Sequence, residues 1–295
     1  MRVFVTGATG FLGSAIVSQL INAGHQVLGL TRSEAGARSL LKIGAQAHIG
    51  DTDDLDSLRR GVSLADAVIH TAFNHDFSTF AANCEADRQA IEAMGSALYG
   101  SDRPLIITSI AGLGAMIKGQ LASEEYFNAD SPNPRKASEL ASISLAQRGI
   151  NVSVVRLPQV HDRVKQGLIS PLIELAREKG VSAYIGEGEN RWAAVHISDA
   201  ARLYVLVLEK HLAGSRYHAV AEQGISLRNI AEVIGRGLNI PVKSLDAHEG
   251  ATHFGWLNTF ISHDMSASSA LTQQRLSWRP SGPDLLTDLE QMYYL

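Results

Sequence analysis

The chain has 295 residues, 45% of them apolar and 19% charged, a globular composition long enough for one large domain or a domain plus a smaller lobe. Its net charge of −4, with no basic block or stripe, argues against nucleic acid as a partner. A single cysteine, Cys84, excludes an internal disulfide framework and suits a cytoplasmic address; no signal peptide precedes the first expected strand, and charges break every apolar run well short of the roughly 18 residues that a membrane span needs.

In chain order, short β-branched runs alternate with amphipathic segments. Residues 2–6 (RVFVT) predict a buried strand, 11–23 a helix, 26–30 a second strand and 33–43 a second helix. A third strand is expected at 46–49, a short helix at 55–61, a fourth strand at 67–70 (AVIH), a long helix over about 81–99 and a fifth strand at 104–108. A helix over about 135–148 leads to a sixth strand at 151–156 (NVSVVR). This alternation predicts an α/β fold, a Rossmann-type doubly wound parallel sheet covered on both faces. After Leu157 helices dominate, with short strands near 182–185 and 217–220. The expected division is a dinucleotide-binding domain over 1–157, with segments near 192–220 returning to it, and a smaller, mostly helical substrate lobe from 158–191 and 221–295. Leu168, Ile169, Leu172, Trp192, Phe254 and Trp256 of that later part are candidates for an apolar pocket or for plain core.

The first strand runs into Thr6-Gly7-Ala8-Thr9-Gly10-Phe11-Leu12-Gly13. Gly7 permits a tight turn, Gly10 lets backbone approach a pyrophosphate, and Gly13 lets the helix pack closely on the strands. Exposed N–H groups and the helix dipole then favour phosphate. A ribose-binding acid is expected about twenty residues on, yet the second strand ends Leu30-Thr31-Arg32-Ser33, with no acid before Glu34. An arginine and two hydroxyls suit a 2′-phosphate, so the expected cofactor is NADP(H) rather than NAD(H). Asp51 and Thr52 follow the third strand, where Asp51 can meet the adenine amino group or cap the next helix.

These residues resemble the extended short-chain dehydrogenase/reductase superfamily, whose members include NAD-dependent epimerases and dehydratases. TGATGFLG at residues 6–13 is similar to its cofactor turn, and His70-Thr71-Ala72-Phe73 to the loop that passes the cofactor after the fourth strand. Leu157-Pro158-Gln159-Val160-His161 resembles the segment beside the nicotinamide carboxamide. Residues 194–201 (AVHISDAA) and 276–280 (LSWRP) are similar to two later elements. The resemblance implies a cofactor shell of Gly7, Thr9, Gly10, Phe11, Leu12, Gly13, Thr31, Arg32, Ser33, Asp51, Thr52, Thr71, Ala72, Phe73, Leu157, Pro158, Gln159 and Val160. It also implies a possible homodimer.

The family's catalytic set is Ser, Tyr and Lys, with Tyr-x-x-x-Lys on a helix. In register with this chain, Arg135 stands at the Tyr position and Glu139 at the Lys position, while Ile110 stands in place of the serine with Ser109 beside it. The chain thus reads as an atypical branch. Arg135 and Glu139, four apart, either form a solvated ion pair or act in the site, Arg135 on a substrate oxyanion and Glu139 on the nicotinamide ribose. Arginine does not release its proton, so Tyr126 and His161 are candidate acids, and His196 reads as structural. No metal-ligand spacing and no Gly-x-Ser-x-Gly turn is present.

The expected activity is hydride transfer between NADP(H) and a small carbonyl or conjugated enone. The alternatives are a catalytically silent NADP(H)-binding redox sensor, and an epimerase or dehydratase that uses bound NAD.

Overall fold

A computed structural model describes residues 1–117 and 119–294. The central sheet is built from β1 (Arg2–Thr6), β2 (Gln26–Thr31), β3 (Gln46–Ile49), β4 (Ala67–His70), β5 (Leu105–Ile110), β6 (Val152–Leu157) and β10 (Arg216–His218). All pairings within it are parallel, in the order β10-β6-β5-β4-β1-β2-β3. The order reverses between β1 and β4, which opens a crevice at the carboxyl ends of these strands.

Period-two alternation assigns each strand residue to a face. Val3, Val5, Ile106 and Val155 pack with α1 (Phe11–Asn22) and α7 (Ile197–Lys210), through Ile16, Leu20, Leu203 and Tyr204. Phe4, Leu105, Ile107 and Val154 point the other way, onto α3 (Leu55–Ser63), α4 (Phe80–Ser96) and α5 (Lys136–Gln147). Both faces are dry, as a parallel sheet requires.

The later chain builds a separate core. β7 (Gln159–His161), β9 (Arg191–His196) and β11 (Glu222–Ser226) form a three-stranded sheet. β8 (Ser182–Ile185) and β12 (Val242–Leu245) pair with each other. Of the stretch 192–220, β10 joins the main sheet, whereas β9 belongs to the small one. α6 (Ile169–Lys179), α8 (Leu227–Leu238), α9 (Ala247–Phe254) and α12 (Leu285–Gln291) pack around Trp192, Ile230, Phe254 and Leu289. Ile169, Leu172, Trp192 and Phe254 are therefore core residues rather than pocket walls. No helix among the described residues is long and apolar enough to cross a membrane.

A buried ionic cluster fastens α5 to the sheet. Glu139 and Arg156 are both fully buried and meet through two hydrogen bonds of 2.7 and 2.8 Å. Arg216 adds a third at 2.9 Å, and the Ser109 hydroxyl a fourth at 2.8 Å. Breaking such a pair from one side strands a charge and costs about 3–5 kcal/mol. His218 adjoins it: its Nδ1–H donates to the Ser268 carbonyl at 2.7 Å and its Nε2 accepts from Arg156 at 3.2 Å, which only a neutral ring can do. Burial, and then the Arg156 charge, push its pKa from the usual 6.5 down to about 3.

Between those two values the unfolded chain takes up a proton that the folded chain refuses. The His218 contribution is therefore intact above about pH 6.5 and is lost progressively as pH falls toward 3, by about 1.4 kcal/mol per pH unit. Urea unfolding between about pH 7 and pH 5 should show a slope that His218→Gln reduces by about that amount; an unchanged slope in the variant would contradict the buried neutral imidazole.

Candidate cofactor and substrate site

The crevice is floored by the turn between β1 and α1. Gly7 has φ +68°, and a Cβ there would lie 2.8 Å from the Ala72 nitrogen and from Thr71 Oγ1. A Cβ on Gly13 would lie 1.9 Å from the Gly7 carbonyl oxygen, so only glycine lets α1 approach β1 this closely. Gly10 differs: its Cβ would meet only the Gly7 oxygen, at 3.1 Å, and otherwise faces open space. Gly10 is also the N-cap of α1 and has no side chain to cap it, and the first turn carries no acid. The leading N–H groups of α1 thus face the crevice with a positive dipole end, a cradle that fits a pyrophosphate.

Thr6 ties this turn to the next wall. Its Oγ1 accepts from the nitrogens of Thr71 and Ala72 at 3.2 and 3.3 Å, and Thr71 Oγ1 donates to the Thr6 carbonyl at 2.8 Å. Phe73 follows, half-buried, with the Arg135 guanidinium 4.1 Å from its ring centre. On the opposite side Lys165 Nζ lies 5.9 Å from the Phe11 ring centre.

At the end of β2 the groups expected around a 2′-phosphate separate. Arg32 extends into solvent with 79% of its side chain exposed, 4.0 Å from Asp51. Ser33 caps α2 (Glu34–Lys42) by accepting from the Gly36 nitrogen, which leaves its hydroxyl proton available. Thr31 is buried, with its hydroxyl turned to the Ser33 carbonyl. Asp51 accepts from Thr52 and from the Asp53 nitrogen; Asp54, not Asp51, caps α3. Of residues 157–160, Leu157 and Pro158 are half-buried near the crevice, whereas Gln159 accepts from the Leu168 nitrogen and Val160 is core.

The altered helix departs most from expectation. Arg135 and Glu139 form no pair with each other. Glu139 is enclosed with Arg156, Arg216 and Ser109 and has no surface left for a ribose. Arg135 is buried too and turns the other way, into an ion pair with Asp87 of α4 and a 3.0 Å hydrogen bond to the Thr108 carbonyl at the end of β5; it also donates to Ser138. The surface ion pair is thereby replaced by two separate buried pairs, each partner drawn to a counter-charge that also fills its site. Ser109 faces Glu139 rather than the crevice.

The candidate acids fare differently. His161 is fully buried, with Nδ1 bonded to Asp288 at 2.7 Å and its ring edge-on to His196; it is an interior residue that ties β7 to α12 and not a loop acid. His196 caps α7, as a structural residue does. Tyr126 is half-buried in the segment between β5 and α5, and its carbonyl accepts from Arg156.

Sequence reading places His70 only at the start of the loop past the cofactor and does not single out Asp87 at all. His70 ends β4 fully enclosed, bonded to Thr6 Oγ1 at 2.6 Å and to Asp87 at 3.0 Å. Asp87 lies on the apolar stripe of α4 with Cys84, Ala90, Ile91 and Met94, and an acid on such a stripe was the available signal. Burial raises the pKa of the Asp87 carboxyl, but the Arg135 charge and the His70 and Ser138 hydrogen bonds outweigh that and hold it below the usual carboxylate range. Cys84 on the same stripe has its thiol pushed up to about 11 by burial and stays protonated. Farther along the β4–α4 loop from Phe73, Phe77 stacks on Trp256 at 4.7 Å and 17°, with Phe260 edge-on at 5.5 Å, so that an aromatic bridge joins that loop to the C-terminal lobe.

The model of the NAD dependent epimerase/dehydratase family matches residues 3–221. An uncharacterized protein of Schizosaccharomyces pombe is 49% identical over the full length of both chains, and one of Saccharomyces cerevisiae is 42% identical, again over both. The 2-alkyl-3-oxoalkanoate reductase of Stenotrophomonas maltophilia is 27% identical over 71% of this chain and 66% of its own. Among solved structures, dTDP-glucose 4,6-dehydratase of Streptomyces venezuelae, with NAD bound, superposes with a TM-score of 0.78 at 20% identity, covering 99% of this chain and 95% of that one.

Because a side chain at Gly10 would enter open space, Gly10→Val should fold normally yet fill the phosphate cradle. Circular dichroism should match the parent while NADPH no longer raises the melting temperature. Undiminished stabilisation by NADPH would place the phosphates elsewhere.

Proposed function

The chain belongs to the NAD dependent epimerase/dehydratase family, enzymes of nicotinamide-dependent oxidoreductase, epimerase or dehydratase type, and on that premise we propose that it is an NADP(H)-dependent oxidoreductase acting on a small carbonyl compound or conjugated enone. The observation that carries this reading is a buried, fixed cation, Arg135, at the crevice beside Phe73. The cofactor, when bound, supplies or accepts the hydride.

The chain's own groups divide the remaining work. The Gly7–Gly13 turn binds the pyrophosphate through backbone N–H groups. Arg32, 4.0 Å from Asp51, and the Ser33 hydroxyl take the 2′-phosphate, with no acid in β2 or before Glu34. Arg135 commits N–H groups to Asp87, Ser138 and the Thr108 carbonyl. A guanidinium has five N–H donors, so others remain for an oxygen that gains negative charge during hydride transfer.

Arg135, at the tyrosine's position, is then the member of the altered set left to act in the site, while Glu139, at the lysine's, is enclosed in the fold. This is the atypical set. An arginine in the tyrosine's place does not release its proton, which favours an enone, whose final proton can come from water. The aromatic bridge of Phe77, Trp256 and Phe260 supports a planar, largely apolar substrate. The likeness to a 3-oxoalkanoate reductase supports reduction of an oxo group.

Calorimetric titration should give tighter binding of NADPH than of NADH. Arg32→Ala should weaken NADPH by about 1.5–3 kcal/mol, the size of a charge-assisted phosphate contact, and leave NADH nearly unchanged. NADPH consumption across carbonyls and enones then reads the activity. Equal losses for the two cofactors would overturn the NADP(H) assignment, and silence across the panel would favour a sensor.

A further inference from the structure

The buried polar atoms under the crevice form one continuous chain. The Thr6 hydroxyl already accepts two N–H bonds, from Thr71 and Ala72, so its own proton goes to His70 Nδ1. His70 must then carry its proton on Nε2 and donate it to Asp87 Oδ1. Asp87 Oδ2 takes the Arg135 guanidinium and the Ser138 hydroxyl, the latter at 2.6 Å. Asp87 and Arg135 are 6% and 5% exposed, so water screens neither charge. Arg135 stays charged whatever its surroundings. The charge presented beside Phe73 is accordingly decided by whether Asp87 is there to balance it.

We propose that Asp87, through its buried pairing with Arg135, sets the balance of affinity between oxidised and reduced nicotinamide cofactor. The inference rests on the reading above that the nicotinamide lies at the crevice beside Phe73 and Arg135. The oxidised ring carries a positive charge and the reduced ring none. A fixed charge in a water-poor crevice therefore acts on one form only. A balanced Asp87–Arg135 pair leaves the two forms evenly treated. An unbalanced guanidinium repels the oxidised ring, and an unbalanced carboxylate attracts it. His70 and Thr6 are positioning residues: they hold the carboxylate on the Arg135 side and link it to the glycine turn. Asn at position 87 keeps the side chain's shape and removes the charge, but its amide nitrogen cannot accept the bonds that one carboxylate oxygen takes, so the charge-balanced variants below separate the effect of charge from that of lost hydrogen bonds.

The test measures dissociation constants of NADP⁺ and NADPH at pH 8 by calorimetry and needs no substrate. Asp87→Asn should raise the ratio of the NADP⁺ constant to the NADPH constant by about tenfold or more, which for a two-electron couple moves the bound cofactor's potential by about 30 mV. Arg135→Gln should move the ratio by a similar factor in the opposite direction. Arg135→Lys and the double variant Asp87→Asn/Arg135→Gln, each charge-balanced, should return it close to the parent value. The double variant and Arg135→Gln carry the test if Asp87→Asn does not fold. Single variants that shift both constants together, or move the ratio in the same direction, would show a merely structural pair and overturn the proposal while leaving the proposed function intact. A parent protein that binds neither cofactor would overturn both.

Discussion

A guanidinium enclosed by protein cannot shed its charge, so a buried arginine must bring its own anion. Arg135 meets this requirement with Asp87, and much of the site's arrangement depends on that pair. Asp87 comes from α4 and Arg135 from the residue that caps α5, so the pair fastens two helices of one face together. The Thr108 carbonyl brings the end of β5 into contact with the same guanidinium, and His70 brings in the end of β4. From His70 the chain of hydrogen bonds continues to Thr6, the last residue before the glycine turn. The glycine turn and the Arg135 guanidinium are thereby joined by one continuous chain of hydrogen bonds.

A second buried cluster holds the body of the same helix. Glu139 with Arg156 and Arg216 anchors the body of α5 to β6 and β10, one turn beyond Arg135. The two pairs reach in different directions from the helix start, one to α4 and β5 and the other to β6 and β10. Both clusters are satisfied by several hydrogen bonds each, the condition under which a buried ion pair is tolerated at all.

Much of the architecture was legible in the sequence because its signals are local. Strand-length β-branched runs alternating with helical spacing give the parallel sheet, and three glycines at the first strand–helix junction give the turn. The site's electrostatics were less legible because they arise from contacts between distant segments. Arg135 and Glu139 have the spacing of a helical ion pair, yet each has a buried partner 48 or 17 residues away in sequence. His161 reads as a candidate acid because its partner, Asp288, lies 127 residues further on. In sequence Trp256 resembles the core residues; only its 48% exposure and its stack on Phe77 distinguish it from Trp192, which is fully buried. Asp87 was overlooked although an acid on the buried stripe of an amphipathic helix is itself a signal.

The central claim is that one crevice holds the pyrophosphate at the glycine turn and the nicotinamide beside a fixed Arg135. A crystal structure of the protein with NADP⁺ tests it most directly. The account predicts phosphate oxygens on the N–H groups at the start of α1, the 2′-phosphate against Arg32, and the nicotinamide ring beside Phe73 with the Asp87–Arg135 pair unbroken. A nicotinamide bound away from Phe73, or an Arg135 that leaves Asp87 to sit in solvent, would contradict it.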